Sequence, residues 1–211
     1  ITCQALDAYW TQFWTKEPDP PPSDLGDILQ YVPRYNIPAC PLDVNLWHQA
    51  IKALKPHSAR GVDCISAQEL KVLPHRAIED LMHILATYTS GFPSWLMWVK
   101  TCPVPKKPGL IDPSLVRPIS VMSQLYRLWA RVQCRHVIQH LSQKITPEIT
   151  GFLPSRGPYD AIYEFQWLLE QAHNGQGHRS GISIDLLKCF NTIDREAAQS
   201  TMLHEIGRAH V

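Results

Sequence analysis

Thr101-Cys102-Pro103-Val104-Pro105, the loop Lys106-Lys107-Pro108-Gly109 through Asp112-Pro113, and Val116-Arg117-Pro118-Ile119-Ser120-Val121 decide the fold class. The two outer runs are rich in Val, Ile, Thr and Cys and read as short strands. The prolines within them cannot donate to a ladder, so the strands belong at an edge. Loop and strands together predict a β-hairpin with lysines near its tip. Everything outside it reads mainly as helix, so the expected class is α+β.

Helical spacing dominates on both sides. Asp43 is placed to cap a helix whose apolar positions are Leu46, Trp47, Ala50, Ile51 and Leu54, closed by Lys55-Pro56. Ser66-Ala67-Gln68-Glu69 matches a capping box and starts a short helix ending near Pro74. Ile78, Leu81, Met82, Leu85 and Tyr88 mark the next helix, with Gly91 as its stop. Residues 123–143 form the clearest helix: Leu125, Leu128, Trp129 and Val132 on one face, Arg127, Arg131 and Arg135 on another. A further helix fits Tyr159–Ala172, with Ile162, Phe165 and Leu169 inward. Asn174-Gly175-Gln176-Gly177 is a turn, Gly181–Leu187 reads as a buried strand, and a helix follows Asp194. Residues 1–41 read as a loosely structured lead-in, in which Tyr9, Trp10, Phe13 and Trp14 share a helical face before Pro18–Ser23 forms an extended linker.

The 211 residues are 45% hydrophobic, enough for a core, and include 18 prolines, above the usual share of about 5%. The net charge of +1 hides an asymmetry. Residues 1–30 hold Asp7, Glu17, Asp19, Asp24 and Asp27 against Lys16. Residues 100–144 hold Lys100, Lys106, Lys107, Arg117, Arg127, Arg131, Arg135 and Lys144 against Asp112, which points to a polyanionic partner. The six cysteines have no paired spacing and read as reduced thiols, hence an intracellular setting in nucleus or cytoplasm. His136 and His140 stand one turn apart near Cys134, a zinc-compatible spacing without a second ligand cluster. No apolar run approaches the roughly 20 residues of a membrane span.

Ile182-Ser183-Ile184-Asp185-Leu186-Leu187-Lys188-Cys189-Phe190 sets one carboxylate in an apolar run, and a buried charge needs a partner. Four blocks occur in order: Arg60-Gly61-Val62-Asp63 with Glu69-Leu70; Lys106-Lys107-Pro108-Gly109 with Arg117-Pro118-Ile119-Ser120 and Tyr126-Arg127; Gly151-Phe152-Leu153-Pro154-Ser155-Arg156-Gly157 with Asp160-Ala161; and Ile184–Asp194. Across about residues 42–195 this succession resembles the reverse transcriptase family, most closely that of non-LTR retroelements.

The resemblance implies a set of roles. Asp185 would be the first palm carboxylate, a metal ligand and catalytic residue, helped by the Leu186 carbonyl. The metal would be Mg²⁺, two ions in the complete enzyme, with Mn²⁺ as an alternative; such ions activate the primer hydroxyl and hold the triphosphate. Lys106, Lys107 and Arg117 would close on the nucleotide triphosphate, Arg in bidentate fashion and Lys as a point charge. Phe190 would act as a steric gate under the sugar, selecting deoxynucleoside triphosphates. Gly151, Phe152, Arg156 and Gly157, with Arg127, would lie against the template. Partners would be an RNA template, a DNA primer and deoxynucleoside triphosphates, with no membrane; oligomeric state is left open. The implied layout is a lead-in over 1–41, fingers over 42–180, the start of a palm with its first strand and helix over 181–204, and a tail over 205–211.

No Asp-Asp pair occurs in the chain, although the family places one later in the palm. The strand at Gly181–Leu187 is therefore expected to lack proper partners, and the chain to be inactive alone, as a fragment of the whole polymerase. Glu205-Ile206-Gly207-Arg208-Ala209-His210-Val211 reads as a translated sequencing adapter, with the native frame lost at about His204. Alternatives are a group II intron-type reverse transcriptase, a non-catalytic nucleic-acid-binding remnant, and a gene piece without a selected role.

Overall fold

Residues 2–15, 24–88, 91–109, 112–175, 177–178, 180–186 and 193–206 are described by a computed structural model. Thr2 starts the chain's first helix, α1 (Cys3–Trp14): its Oγ1 accepts the Ala5 N–H at 3.2 Å. Tyr9, Trp10, Phe13 and Trp14 share one side of α1 and touch ring to ring, and Trp10 is buried. A short α2 (Leu25–Leu29) follows, so the opening segment carries more structure than a lead-in needs.

Four helices then build the core. Asp43 caps α3 (Val44–Lys52), its Oδ1 accepting the Asn45 N–H at 2.8 Å. Ser66 and Glu69 cap α4 (Ala67–Lys71) reciprocally: Ser66 Oγ accepts the Glu69 N–H at 3.1 Å, and Glu69 Oε2 accepts the Ser66 N–H at 2.6 Å. Next come α5 (His75–Ala86) and the single turn α6 (Ser94–Met97). Their apolar faces meet at Trp47, Ala50, Ile51, Leu54, Leu70, Ile78, Met82, Leu85 and Leu96. Burying each large side chain contributes about 1.5–3 kcal/mol.

β1 (Val99–Pro105) and β2 (Val116–Met122) form a two-stranded antiparallel sheet, with Pro103 opposite Pro118 and Val104 opposite Arg117. Lys106 N–H donates to the Leu115 carbonyl at 3.0 Å, so the even-numbered residues of β1 sit in hydrogen-bonded pairs. Pro103, Pro105 and Pro118 then fall in the alternate pairs, whose N positions face away from the partner strand. Three prolines therefore break no ladder bond.

Ser123 caps α7 (Gln124–Leu141), which lays Leu128 and Val132 into the core against α3 and α6. α8 (Pro158–His173) begins with proline in its first turn, and the Gly157 N–H donates to Asp160 Oδ2 at 2.6 Å. α9 (Arg195–Ile206) starts at Asp194, whose Oδ1 accepts the Ala197 N–H at 2.9 Å. It returns to the opening segment: the Tyr35 N–H donates to the Glu205 carbonyl at 2.8 Å, and Arg34 Nε donates to His204 Nε2 at 3.4 Å.

Two expectations need correction. The described part of the expected strand, residues 181–186, forms no strand, and all six are exposed, Ile182 at 91%. A strand needs a partner ladder, and the only sheet among the described residues is β1 with β2. Ile162, Phe165 and Leu169 of α8 are exposed rather than inward, at 57%, 62% and 51%. Their periodicity makes a helix, but no described element covers the face it creates.

Candidate nucleotide and nucleic-acid surface

The hairpin sorts its residues by parity. Side chains alternate across a sheet, and directly opposed residues share a face. Thr101, Pro103 and Pro118 lie on one face, where they line a cleft of about 420 Å³ shared with Cys3, Gln4, Leu6, Asp7, Trp10 and Trp14 of α1. Lys100, Cys102, Val104, Arg117, Ile119 and Val121 lie on the other. Lys106 continues that second face, because its backbone pairs with Leu115 in the same register. The face of Thr101, Pro103 and Pro118 is thus turned to α1, and Arg117, Lys106 and Lys100 share the opposite side. All three are exposed, as is Lys107 at the turn. Arg117 and Lys106 stand in diagonal positions, about 7–8 Å apart at the backbone, close enough for two cations to flank one phosphate chain. The sequence places Lys100 only within the basic stretch of 100–144; strand parity is the signal that puts it on the face of Arg117 and Lys106.

The second block behaves differently. Arg156 turns inward on its own loop: Nη1 donates to the Thr146 carbonyl at 2.5 Å and the Ile149 carbonyl at 3.0 Å, and Nη2 to the Ile145 carbonyl at 3.2 Å. Its guanidinium braces residues 145–149, which restricts it as a phosphate ligand. Phe152 is the group this brace presents. It is 98% exposed and holds φ at 61°, a left-handed backbone that a bulky side chain adopts at a cost of roughly 1–3 kcal/mol. Gly151 and Gly157 flank it with open space at their Cα positions, allowing close backbone approach.

Arg127 is likewise drawn into the fold. Its Nη2 donates to the Ala59 carbonyl at 2.5 Å and to Gln124 Oε1. Beside it, Asp63 Oδ2 accepts from Ser123 Oγ at 2.7 Å and from the Gln124 N–H at 2.8 Å, so an acid 60 residues upstream supplements the cap of α7. The 59–64 turn lies hard against the β2–α7 junction: a Cβ on Gly61 would stand 2.7 Å from the Met122 carbonyl carbon and 2.8 Å from Ser123 Cα. The first block is therefore a clamp on the hairpin's exit.

Asp185 is exposed and on irregular backbone. Among the described residues there is no group of three or more His, Cys, Asp or Glu placed to hold a metal ion. Asp185 fits as one ligand, but the described residues do not by themselves supply a two-ion cage. Phe190 lies outside the described residues. His136 Nε2 donates to the Pro38 carbonyl at 2.7 Å and His140 Nδ1 to the His136 carbonyl at 2.9 Å, so this pair is taken up by backbone bonds. Cys3, Cys40, Cys64, Cys102 and Cys134 are free thiols, and burial pushes the Cys40 thiol up from its ordinary value. Among the described residues no helix is long and apolar enough to cross a membrane.

No protein-family model matches the chain. It is 25% identical over 177 residues to the "Probable RNA-directed DNA polymerase from transposon BS" of Drosophila melanogaster. The match covers 79% of this chain and 19% of that protein, so the chain spans about a fifth of its relative's length. The likeness supports a reverse-transcriptase relationship.

Proposed function

We propose that these residues are the nucleotide- and template-contacting part of an RNA-directed DNA polymerase of non-LTR retroelement type. The observation that carries the reading is the sorting of the hairpin. Its face opposite α1 gathers Arg117, Lys106 and Lys100 next to the exposed apolar side chains of Val104 and Ile119. Such a face suits a deoxynucleoside triphosphate, with cations on the phosphates and apolar surface beneath. Arg117 is the bidentate clamp, Lys106 the point charge beside it, and Lys107 a second charge at the tip.

Phe152 stacks on an unpaired template base, since an exposed aromatic held on a braced loop accepts any base face. Asp185 contributes one carboxylate to a magnesium site, and Phe190 follows it as the sugar gate. The 211 residues contain no Asp-Asp pair, and the described residues group no three metal-ligating side chains. The isolated chain accordingly binds without polymerising. Equilibrium binding of a fluorescent deoxynucleoside triphosphate tests the hairpin. Arg117→Gln is expected to weaken binding at least about tenfold, the loss of a charge-assisted hydrogen bond. Equal affinity in wild type and variant would remove the hairpin from the nucleotide site.

A further inference from the structure

The arginine stripe of α7 is not one functional unit. Arg127, at its start, is held by the Ala59 carbonyl and Gln124, as described above. Arg131 and Arg135 are exposed. The 18 residues of α7 include no Asp or Glu, and neither do α3 and α6, the helices packed against it. The contrast is Arg76 of α5, which has Glu79 at 3.3 Å and Asp80 at 3.3 Å as counter-charges on its own helix. Among the described residues no ion pair holds Arg131 or Arg135, which stand one turn and about 6 Å apart along the axis. Like charges at that spacing disfavour the helix by a few tenths of a kcal/mol.

We propose that Arg131 and Arg135 form a rail for the phosphate backbone of a nucleic acid, separate from the nucleotide face of the hairpin. The spacing is of the order of that between successive phosphates on one strand, and two arginines in line on a helix that carries no acid of its own favour a continuous polyanion over a single anion. The proposal deepens the polymerase reading and rests on it for the nature of the polyanion.

The test is the salt dependence of binding, measured by anisotropy with the full 211-residue chain on labelled single-stranded RNA, single-stranded DNA and an RNA–DNA duplex. The double variant Arg131→Gln/Arg135→Gln is expected to flatten the slope of log affinity against log salt, by about 1.4 on single strands and about 1.8 on duplex. Arg131→Lys/Arg135→Lys should keep the wild-type slope, which separates lost charge from lost fold. Arg76→Gln should also keep it. A wild-type slope in the double glutamine variant, with wild-type binding intact, overturns the rail and leaves the polymerase reading standing. Absence of salt-dependent nucleic-acid binding by the wild type overturns both, as does binding to anionic vesicles in its place.

Discussion

Asp63 shows how one side chain can hold two segments distant in sequence. Its carboxylate accepts from Ser123 Oγ and from the Gln124 N–H, at the point where the hairpin hands over to α7. Asp63→Ala leaves those donors without their acceptor and is expected to destabilise the chain by about 1–3 kcal/mol, read from urea midpoints. Gly61→Ala should act at the same place through steric overlap with the Met122–Ser123 backbone, by about 1–3 kcal/mol. Little change in either variant would mean the clamp is not tight. Phe152 is the opposite kind of residue, strained, exposed and touching no core. Phe152→Ala should leave the unfolding midpoint unchanged or raised, while costing about 1–3 kcal/mol of affinity for single-stranded RNA. Unchanged RNA binding would remove it from the template surface.

The short helix α4 carries a titration signature. The Ser66 backbone N–H, and then its hydroxyl, hold the Glu69 carboxyl below its ordinary value. A carboxyl lowered in the folded state contributes stability that is fully present above the ordinary glutamate value of about 4.3, and this is lost as pH falls through the lowered one. The gap in unfolding midpoint between wild type and Glu69→Gln should therefore narrow as pH drops from about 6 to about 3; a constant gap would deny the charge its role.

Elements whose causes are local were legible in the sequence. The Ser66–Glu69 box, the Asp43 cap and the hairpin's prolines all act within a few residues or one ladder. Less legible was what each face meets. Ile162, Phe165 and Leu169 have the spacing of a core stripe, yet periodicity does not say whether another element arrives to cover it. Arg127 and Arg156 read as template contacts, and the sequence does not show that they also hold the carbonyls of Ala59 and of the 145–149 segment. The run around Asp185 has strand composition, but strand structure depends on a partner that composition cannot specify.

Across the whole molecule, the opening segment is part of the architecture. α1 shares a cleft with the hairpin, Trp10 among its walls, and α9 returns to residues 34 and 35. Trp10→Ala should cost about 3–5 kcal/mol and loosen the hairpin, visible as faster amide exchange at Thr101 and Cys102. Exchange unchanged at those positions would mean that α1 lies on the hairpin without supporting it.

In the function proposed above, these residues serve RNA-templated DNA synthesis around Asp185. The direct measurement is primer extension on an RNA template, with magnesium and deoxynucleoside triphosphates, by the longest protein from the gene that contains these residues. Wild type is expected to extend the primer, and Asp185→Asn to abolish extension while binding the template–primer with near wild-type affinity. Full extension by Asp185→Asn would contradict the claim.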